Sequence, residues 1–403
     1  GSDLHLIHGM IPNLGQDYVI GHEPMGIVEE VGKDVTKVKK GDRVVIPFNI
    51  ACGECWYCNH QLESQCDNAN DNGEMGAYFG YSDTTGGFPG GQAEYMRVPY
   101  GNFIPFKIPE QSEVPDESLV LLADAASTAF WSVENAGVKK GDTVVILGCG
   151  PVGLLAQKFA WLKGAERVIA VDYIGYRLKH AKKTNKVEIV NFEDHENCGE
   201  YLKEITKGGA DVVIDCVGMS GKMTPLEFLA SGVKLQGGAM GAIVTASQAV
   251  RKGGTIQITG VYGGRYNAFP LGDIFQRNVA IRTGQAPVVH LMPHVYNLIA
   301  DGKVNAGDII THVLPLEKAK HGYAPHRRVA ARRDRHRHHH RHRMDQRGRG
   351  LGAGVHVQRG HRAGVHAVFV PAQLDFLPGG PGERTAGRPG AVRRGRRDGA
   401  RAA

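Results

Sequence analysis

Lysine is missing from the last 80 residues of this chain. Residues 324–403 hold 19 arginines against five acids (Asp334, Asp345, Asp375, Glu383 and Asp398), a surplus of 14 positive charges. The chain's formal charge of +7 therefore leaves the first 323 residues at −7. The body is mildly acidic, and the chain-wide basicity does not describe it. A run of 18 apolar residues is also missing, so no membrane-spanning helix is expected. The opening residues lack the basic and apolar regions of a secretory leader, and no internal repeat is evident. Outside one cluster, cysteine is sparse. Cys149, Cys198 and Cys216 lie far apart, as free thiols of a reducing, cytoplasmic compartment do.

The arginine-rich tail begins abruptly after the well-patterned LPLEKAKHGY with RRVAARRDRHRHHHRHR. It admits two readings. One is a basic arm for nucleic acid. The other is out-of-frame translation of GC-rich DNA, which yields Arg, Ala, Gly and Pro together. The abrupt loss of lysine favours the second and argues against a nucleic-acid partner. His338–His340, with His336 and His342, would bind metal only adventitiously. Composition of this kind is expected to stay disordered.

Four cysteines fall within fifteen residues: Cys52, Cys55, Cys58 and Cys66, spaced C-x2-C-x2-C-x7-C. Two residues between thiolates let consecutive sulfurs turn toward one centre, and the fourth arrives from the next turn of a short loop. This is the spacing of a closed, four-thiolate structural zinc site. A pair of disulfides is the competing reading, and a reducing compartment disfavours it.

Residues 1–125 are rich in Gly, Val and Pro. IVEEVG, DRVVIPF and AEYMRVP predict short strands of a compact β domain. From about residue 126 the pattern changes. A helix is predicted through Thr128–Asn135. Then strands (TVVILG, RVIAVD, DVVIDCVG, TIQITGVYG) alternate with helices (LLAQKFAWLKG, YRLKHAKK, SQAVRKGG), which predicts a parallel sheet of βαβ units. Residues 219–241 interrupt this rhythm and read as an insertion with a short helix near Pro225–Ala230. Beyond about 286 the chain returns to the β domain, with a helix in LMPHVYNLIADGKV and a strand in DIITHVLPL.

VVILGCGPVGLLAQ places Gly148-x-Gly150-x-x-Gly153 between a strand and a helix, with Pro151 and Val152 inside the motif. Gly148 permits the tight turn, Gly150 lets a pyrophosphate approach the backbone, and Gly153 lets helix and strand pack closely. Asp172 ends the next strand, 19 residues after Gly153. It is placed to accept the adenosine ribose hydroxyls and to repel a 2′-phosphate, which favours NAD over NADP. Arg177 either softens that preference, stacks on adenine, or is a solvated helix residue.

These features, together with GSDLH at the start, GHE at 21–23, VIPFNIACGECWYC, GGQAEYMRVPY, the AD of LLADAAST and GQAPV at 284–288, resemble the zinc-dependent medium-chain alcohol dehydrogenases. Within that family the chain resembles most the glutathione-independent formaldehyde dehydrogenases, and the resemblance covers residues 1–323. It implies an α/β chain: an incomplete GroES-like β domain plus a Rossmann doubly wound parallel sheet. The implied division is 1–125 (partial catalytic domain, zinc lobe at 52–66), 126–285 (NAD domain with the insertion 219–241), 286–323 (return to the catalytic domain) and 324–403 (tail).

The resemblance also implies a catalytic zinc held by His22 and Asp124, with Glu23 able to approach it. The family's cysteine ligand stands immediately before the G-S-D-x-H segment and so falls on no residue of this sequence. The expected reading is a gene fragment, truncated at its start and frame-shifted at its end. Taken alone, His22 reads equally as a satisfied loop residue, and Asp124 as a helix N-cap.

The implied chemistry is hydride transfer to NAD from an alcohol or a hydrated, formaldehyde-type aldehyde, with zinc as Lewis acid. Ser2 would take the hydroxyl proton, and the cofactor ribose and a near-neutral His5 would pass it to solvent. Thr128 would touch the nicotinamide side. Trp131 stands where the closest group has His. Two other readings stay open: a general alcohol, polyol or S-hydroxymethylglutathione dehydrogenase, or an inactive NAD- and zinc-binding fragment. A homo-oligomer is implied for the intact enzyme.

Overall fold

The computed structural model describes residues 1–218, 239–323 and 366–369, apart from 10, 12, 13, 15, 16, 72, 74, 264 and 265. Most of the insertion, including its predicted helix at Pro225–Ala230, and most of the tail lie outside these residues.

The N-terminal part is built from short strands. β1 (Met25–Ile27), β2 (Arg43–Val45) and β5 (Phe106–Lys107) form one antiparallel sheet. β3 (Asn49–Ile50) and β4 (Ala77–Tyr78) pair separately and flank the four-cysteine lobe. Two sequence expectations are corrected here. IVEEVG contributes only its first residue to β1, and AEYMRVP forms no strand. The second segment has no ladder partner among the described residues, and Tyr95 is 77% exposed, so nothing offsets the cost of extending it.

The second part is a six-stranded sheet of β6 (Thr143–Leu147), β7 (Arg167–Asp172), β8 (Glu188–Asn191), β9 (Ala210–Asp215), β10 (Val250–Ile258) and β11 (Ala280–Thr283). Every pairing is parallel. The spatial order β8-β7-β6-β9-β10-β11 is that of a doubly wound dinucleotide-binding sheet. Its central strands are buried on both faces. Val144 and Ile146 pack with the helices Ala125–Ala136, Pro151–Leu162 and Val288–Ala300, while Val145 and Leu147 pack with Cys198–Ile205 and Gly241–Ala249. This explains why TVVIL reads as a continuous apolar run.

The helix expected over SQAVRKGG ends at Ala249 instead, and RKGG extends β10. The register of β10 against β9 shifts between Val250 and Thr255, and Gly253 there has φ +71°. A bulge of this kind accommodates the two glycines that ended the predicted helix.

β12 (His312–Pro315) pairs antiparallel with β13 (His366–Phe369). The tail was expected to be disordered throughout. These four residues instead extend an open strand edge with backbone hydrogen bonds.

The chain order reverses between β6 and β9. Cys216 N donates to Leu147 O at 2.9 Å at that point. Next to it the loops after β9 and β10 cross so closely that a Cβ on Gly260 would lie 2.1 Å from Gly218 N. Gly260→Ala should therefore cost about 2 kcal/mol through overpacking and lower Tm by a few degrees. A melting curve identical to that of the unsubstituted chain would mean that the loops do not cross in this way.

Candidate active site

His22 is 5% exposed and lies between two carboxylates. Its Nδ1 is 2.9 Å from Asp3 Oδ1, and its Nε2 is 3.0 Å from Asp124 Oδ2. Asp3 comes from the opening helix Ser2–Ile7, and Asp124 immediately precedes the helix Ala125–Ala136. Burial alone would drive the imidazole neutral, but the two carboxylates override it and raise its pKa well above the usual value. Burial would likewise raise the carboxyl pKa values of Asp3 and Asp124. His22, with Thr128 for Asp124, reverses the sign and holds both below the usual range.

Asp124 occupies the N-cap position without making a capping bond from its side chain. Its other oxygen, Oδ1, accepts from Thr128 Oγ1 at 2.5 Å. Thr128, expected to touch a nicotinamide, gives its hydroxyl proton to Asp124 and keeps its acceptor positions. Glu23 is not drawn into the pair. Its carboxylate accepts from Ala125 N at 3.2 Å, and burial followed by the charge of Asp124 raises its pKa.

Ser2 bonds no described residue through its hydroxyl. His5 is 8% exposed, and its Nδ1 is 3.3 Å from Tyr81 Oη. Burial, the largest cause, pulls its pKa down to about 4. The relay expected of His5 therefore starts from a buried ring whose Nδ1 faces Tyr81 Oη. Burial pushes the Tyr81 hydroxyl up to about 12, with Asp3 adding to the effect. Sequence reasoning passed over both Asp3 and Tyr81. Asp3 had a legible signal, since a metal-binding histidine almost always engages a carboxylate or carbonyl through its second ring nitrogen. Tyr81 had none.

The lobe brings all four cysteines together, their sulfurs within 4.8 Å of one another. Cys55–Cys58 and Cys52–Cys58 are 3.5 and 3.9 Å apart, and Cys55–Cys66 is 3.9 Å. Tetrahedral zinc with bonds of about 2.3 Å places its sulfurs roughly 3.8 Å apart. All seven cysteines are free thiols. Backbone N–H groups donate to the sulfurs, Cys52 N to Cys66 Sγ at 3.3 Å and Cys55 N to Cys52 Sγ at 3.3 Å. Burial would raise the Cys55 thiol, but backbone donors at Cys58 and Asp67 and the neighbouring thiols hold it at about 7. This donor set fits zinc. Among the described residues it is the one group of three or more possible ligands drawn together. His22 and Asp124 make a converging pair.

The glycine motif stands at the sheet's turning point. Gly148 has φ +94°, and a Cβ on Gly153 would lie 1.9 Å from Gly148 O. A Cβ on Gly150 would meet nothing within 4 Å, so the space before the helix Pro151–Leu162 is open to an anion. Val152 and Gly153 lie in its first turn. Asp172 is 5% exposed. Its Oδ2 accepts from Cys149 N at 2.8 Å, and its Oδ1 accepts from Tyr173 N and Ile174 N at 2.7 and 3.0 Å. Arg177 Nη1 is 3.6 Å from Asp172 Oδ2.

On the other side of the turning point a cavity of about 360 Å³ opens between Gly260–Tyr262, Thr283–Gln285, Met240 and Gln65. Trp131 stands beside it, 3.7 Å from where a Cβ on Gly284 would be. A wider, more open concavity of about 680 Å³ lies around the helix Cys198–Ile205 and contains none of the residues above.

Comparison with known proteins gives the family. The alcohol dehydrogenase GroES-like domain family matches residues 1–110, and the zinc-binding dehydrogenase family matches residues 151–232. An uncharacterized zinc-type alcohol dehydrogenase-like protein, AdhB of Bacillus subtilis, is 77% identical over 323 residues, 80% of this chain and 85% of that protein. The glutathione-independent formaldehyde dehydrogenase of the same organism is 34% identical over 350 residues, covering 83% of each. The solved structure of the alcohol dehydrogenase TADH from Thermus sp. ATN1 superposes with a TM-score of 0.68 at 34% identity, over 82% of this chain and 86% of that one. The chain belongs to the zinc-type alcohol dehydrogenases, a family of oxidoreductases with a GroES-like and a Rossmann-like part. Among the described residues no helix is long and apolar enough to cross a membrane.

Cys66→Ser should remove one zinc ion per chain and lower Tm, because a closed thiolate site contributes folding free energy directly. Elemental mass spectrometry on the purified variant reads the zinc. An unchanged zinc content would contradict a four-thiolate site.

Proposed function

We propose that this chain carries the residues of an NAD-dependent, zinc-assisted oxidoreductase acting on a small alcohol or the hydrate of a formaldehyde-type aldehyde. The observation that carries the reading is the His22–Asp124 pair. Two ligand atoms of one tetrahedral zinc at N and O distances stand roughly 3.3 Å apart, close to the 3.0 Å seen here. Asp3 holds Nδ1 and leaves Nε2 for a metal. Asp3 and Asp124 both bond the one buried imidazole, and the Glu23 carboxyl lies close to Asp124, an acidic setting that a cation would offset.

Bound, the zinc supplies Lewis acidity to the substrate oxygen and the dinucleotide accepts the hydride. The protein's own part is to orient His22 through Asp3 and Asp124 through Thr128. Burial and the charge of Asp124 raise the Glu23 pKa, burial lowers that of His5, and Tyr81 Oη is 3.3 Å from His5 Nδ1. The open space at Gly150 receives the pyrophosphate. Asp172 uses three of its roughly four acceptor positions on backbone N–H groups and keeps one for a ribose hydroxyl. Its negative charge disfavours a 2′-phosphate, which supports NAD.

The domain division stated from the sequence follows the same reading. We also infer a reducing cytoplasmic location from the three unpaired thiols outside the lobe, Cys149, Cys198 and Cys216. A homo-oligomer is inferred from the outer strand β11 and from Leu271 and Phe275 on the preceding helix Leu271–Gln276, 63% and 75% exposed.

The test is NAD reduction by the purified chain with formaldehyde or a primary alcohol, with and without glutathione. Turnover independent of glutathione is expected. His22→Ala should reduce turnover by about 10³-fold, the loss of several kcal/mol of Lewis-acid assistance, while the lobe zinc stays in place. Equal turnover in His22→Ala and the unsubstituted chain would refute the assignment.

A further inference from the structure

We propose that Gln65, carried by the zinc lobe, hydrogen-bonds the carboxamide of the cofactor's nicotinamide ring, so that the structural zinc helps to set cofactor affinity. The proposal rests on the cofactor reading above and extends it.

A doubly wound sheet binds a dinucleotide across its carboxyl edge, one mononucleotide on each side of the turning point. Asp172, at the end of β7, fixes the adenosine side. The nicotinamide half therefore falls on the side of β9, β10 and β11. The 360 Å³ cavity lies there, walled by Gly260, Val261 and Thr283–Gln285 at the ends of β10 and β11. Those walls belong to the sheet. Gln65 does not: it comes from the short turn Glu63–Gln65, immediately before Cys66.

The turn is held firmly against the cofactor side. Ser64 Oγ donates to Gln285 O at 2.8 Å, at the cavity rim. Glu63 is 2% exposed, and its carboxylate meets His290 Nδ1 at 2.9 Å. Behind the turn, Cys66 is 3% exposed among the four sulfurs. Gln65 is the exposed residue of this turn, and its amide bonds no described residue while lining the cavity. A primary amide presents both donors and an acceptor, the complement of the ring carboxamide. Loss of a zinc ligand at Cys66 would free the turn and carry the amide away.

The test compares two probes on the full chain by fluorescence or calorimetric titration. NADH carries the ring, and ADP-ribose lacks it. Gln65→Ala should weaken NADH binding about tenfold, the loss of one neutral hydrogen bond. ADP-ribose affinity, zinc content and Tm should be unchanged. Cys66→Ser should weaken NADH at least as much and leave ADP-ribose the less affected probe. NADH affinity within twofold of the unsubstituted chain in Gln65→Ala would overturn the proposal. So would an equal loss for both probes, which would mean a general structural role. Failure of the unsubstituted chain to bind either probe would overturn the cofactor reading itself, and this proposal with it.

Discussion

The buried contact on which the candidate site depends is the chain Asp3–His22–Asp124. It ties together three segments that lie far apart in sequence, with both bonds at about 3 Å. Each partner is costly to bury alone. An unpaired carboxylate or imidazolium in such surroundings would be neutralised. Together they hold opposite charges, and the imidazole can release Nε2 without losing its orientation because Asp3 keeps the other nitrogen. Thr128 plays the same part for Asp124. The first turn of the helix Ala125–Ala136 thus belongs to the site as much as to the core beneath the sheet.

The second organising constraint is the crossover in the parallel sheet. It aligns the carboxyl ends of β6 and β9, opens the space at Gly150, and places Asp172 on one side and the cavity on the other. The zinc lobe reaches that cavity through three consecutive residues. Glu63 is paired with His290, Ser64 is bonded to Gln285, and Gln65 lines the opening. The four-cysteine lobe is therefore in direct contact with the rim of that cavity.

Much of this was legible in the sequence because the signals are local. The glycine motif, the apolar strands that follow it and the cysteine spacing each fit within one element or loop, where spacing decides geometry. The β domain was less legible. Its strands are two or three residues long, and whether AEYMRVP pairs depends on a neighbour far away in sequence. RKGG looked like a helix end because glycines stop helices, yet in β10 they mark a bulge. At the site, His22 and Asp124 were found through motif resemblance. Asp3 lay within the quoted S-D-x-H and was overlooked, although the chemistry of a metal-binding histidine calls for such a partner. Tyr81 and Gln65 could not have been chosen, because only the fold brings them to His5 and to the cavity. The lowered pKa of His5 follows from burial, which no local pattern displays.

X-ray absorption at the zinc edge on the purified full chain tests the central claim most directly. The account predicts two superposed shells, sulfur at about 2.3 Å from the lobe and nitrogen or oxygen at about 2.0–2.1 Å from a second ion at His22 and Asp124. The short shell should disappear in His22→Ala. A spectrum of sulfur ligands alone from the unsubstituted chain would contradict the assignment of His22 and Asp124 as zinc ligands.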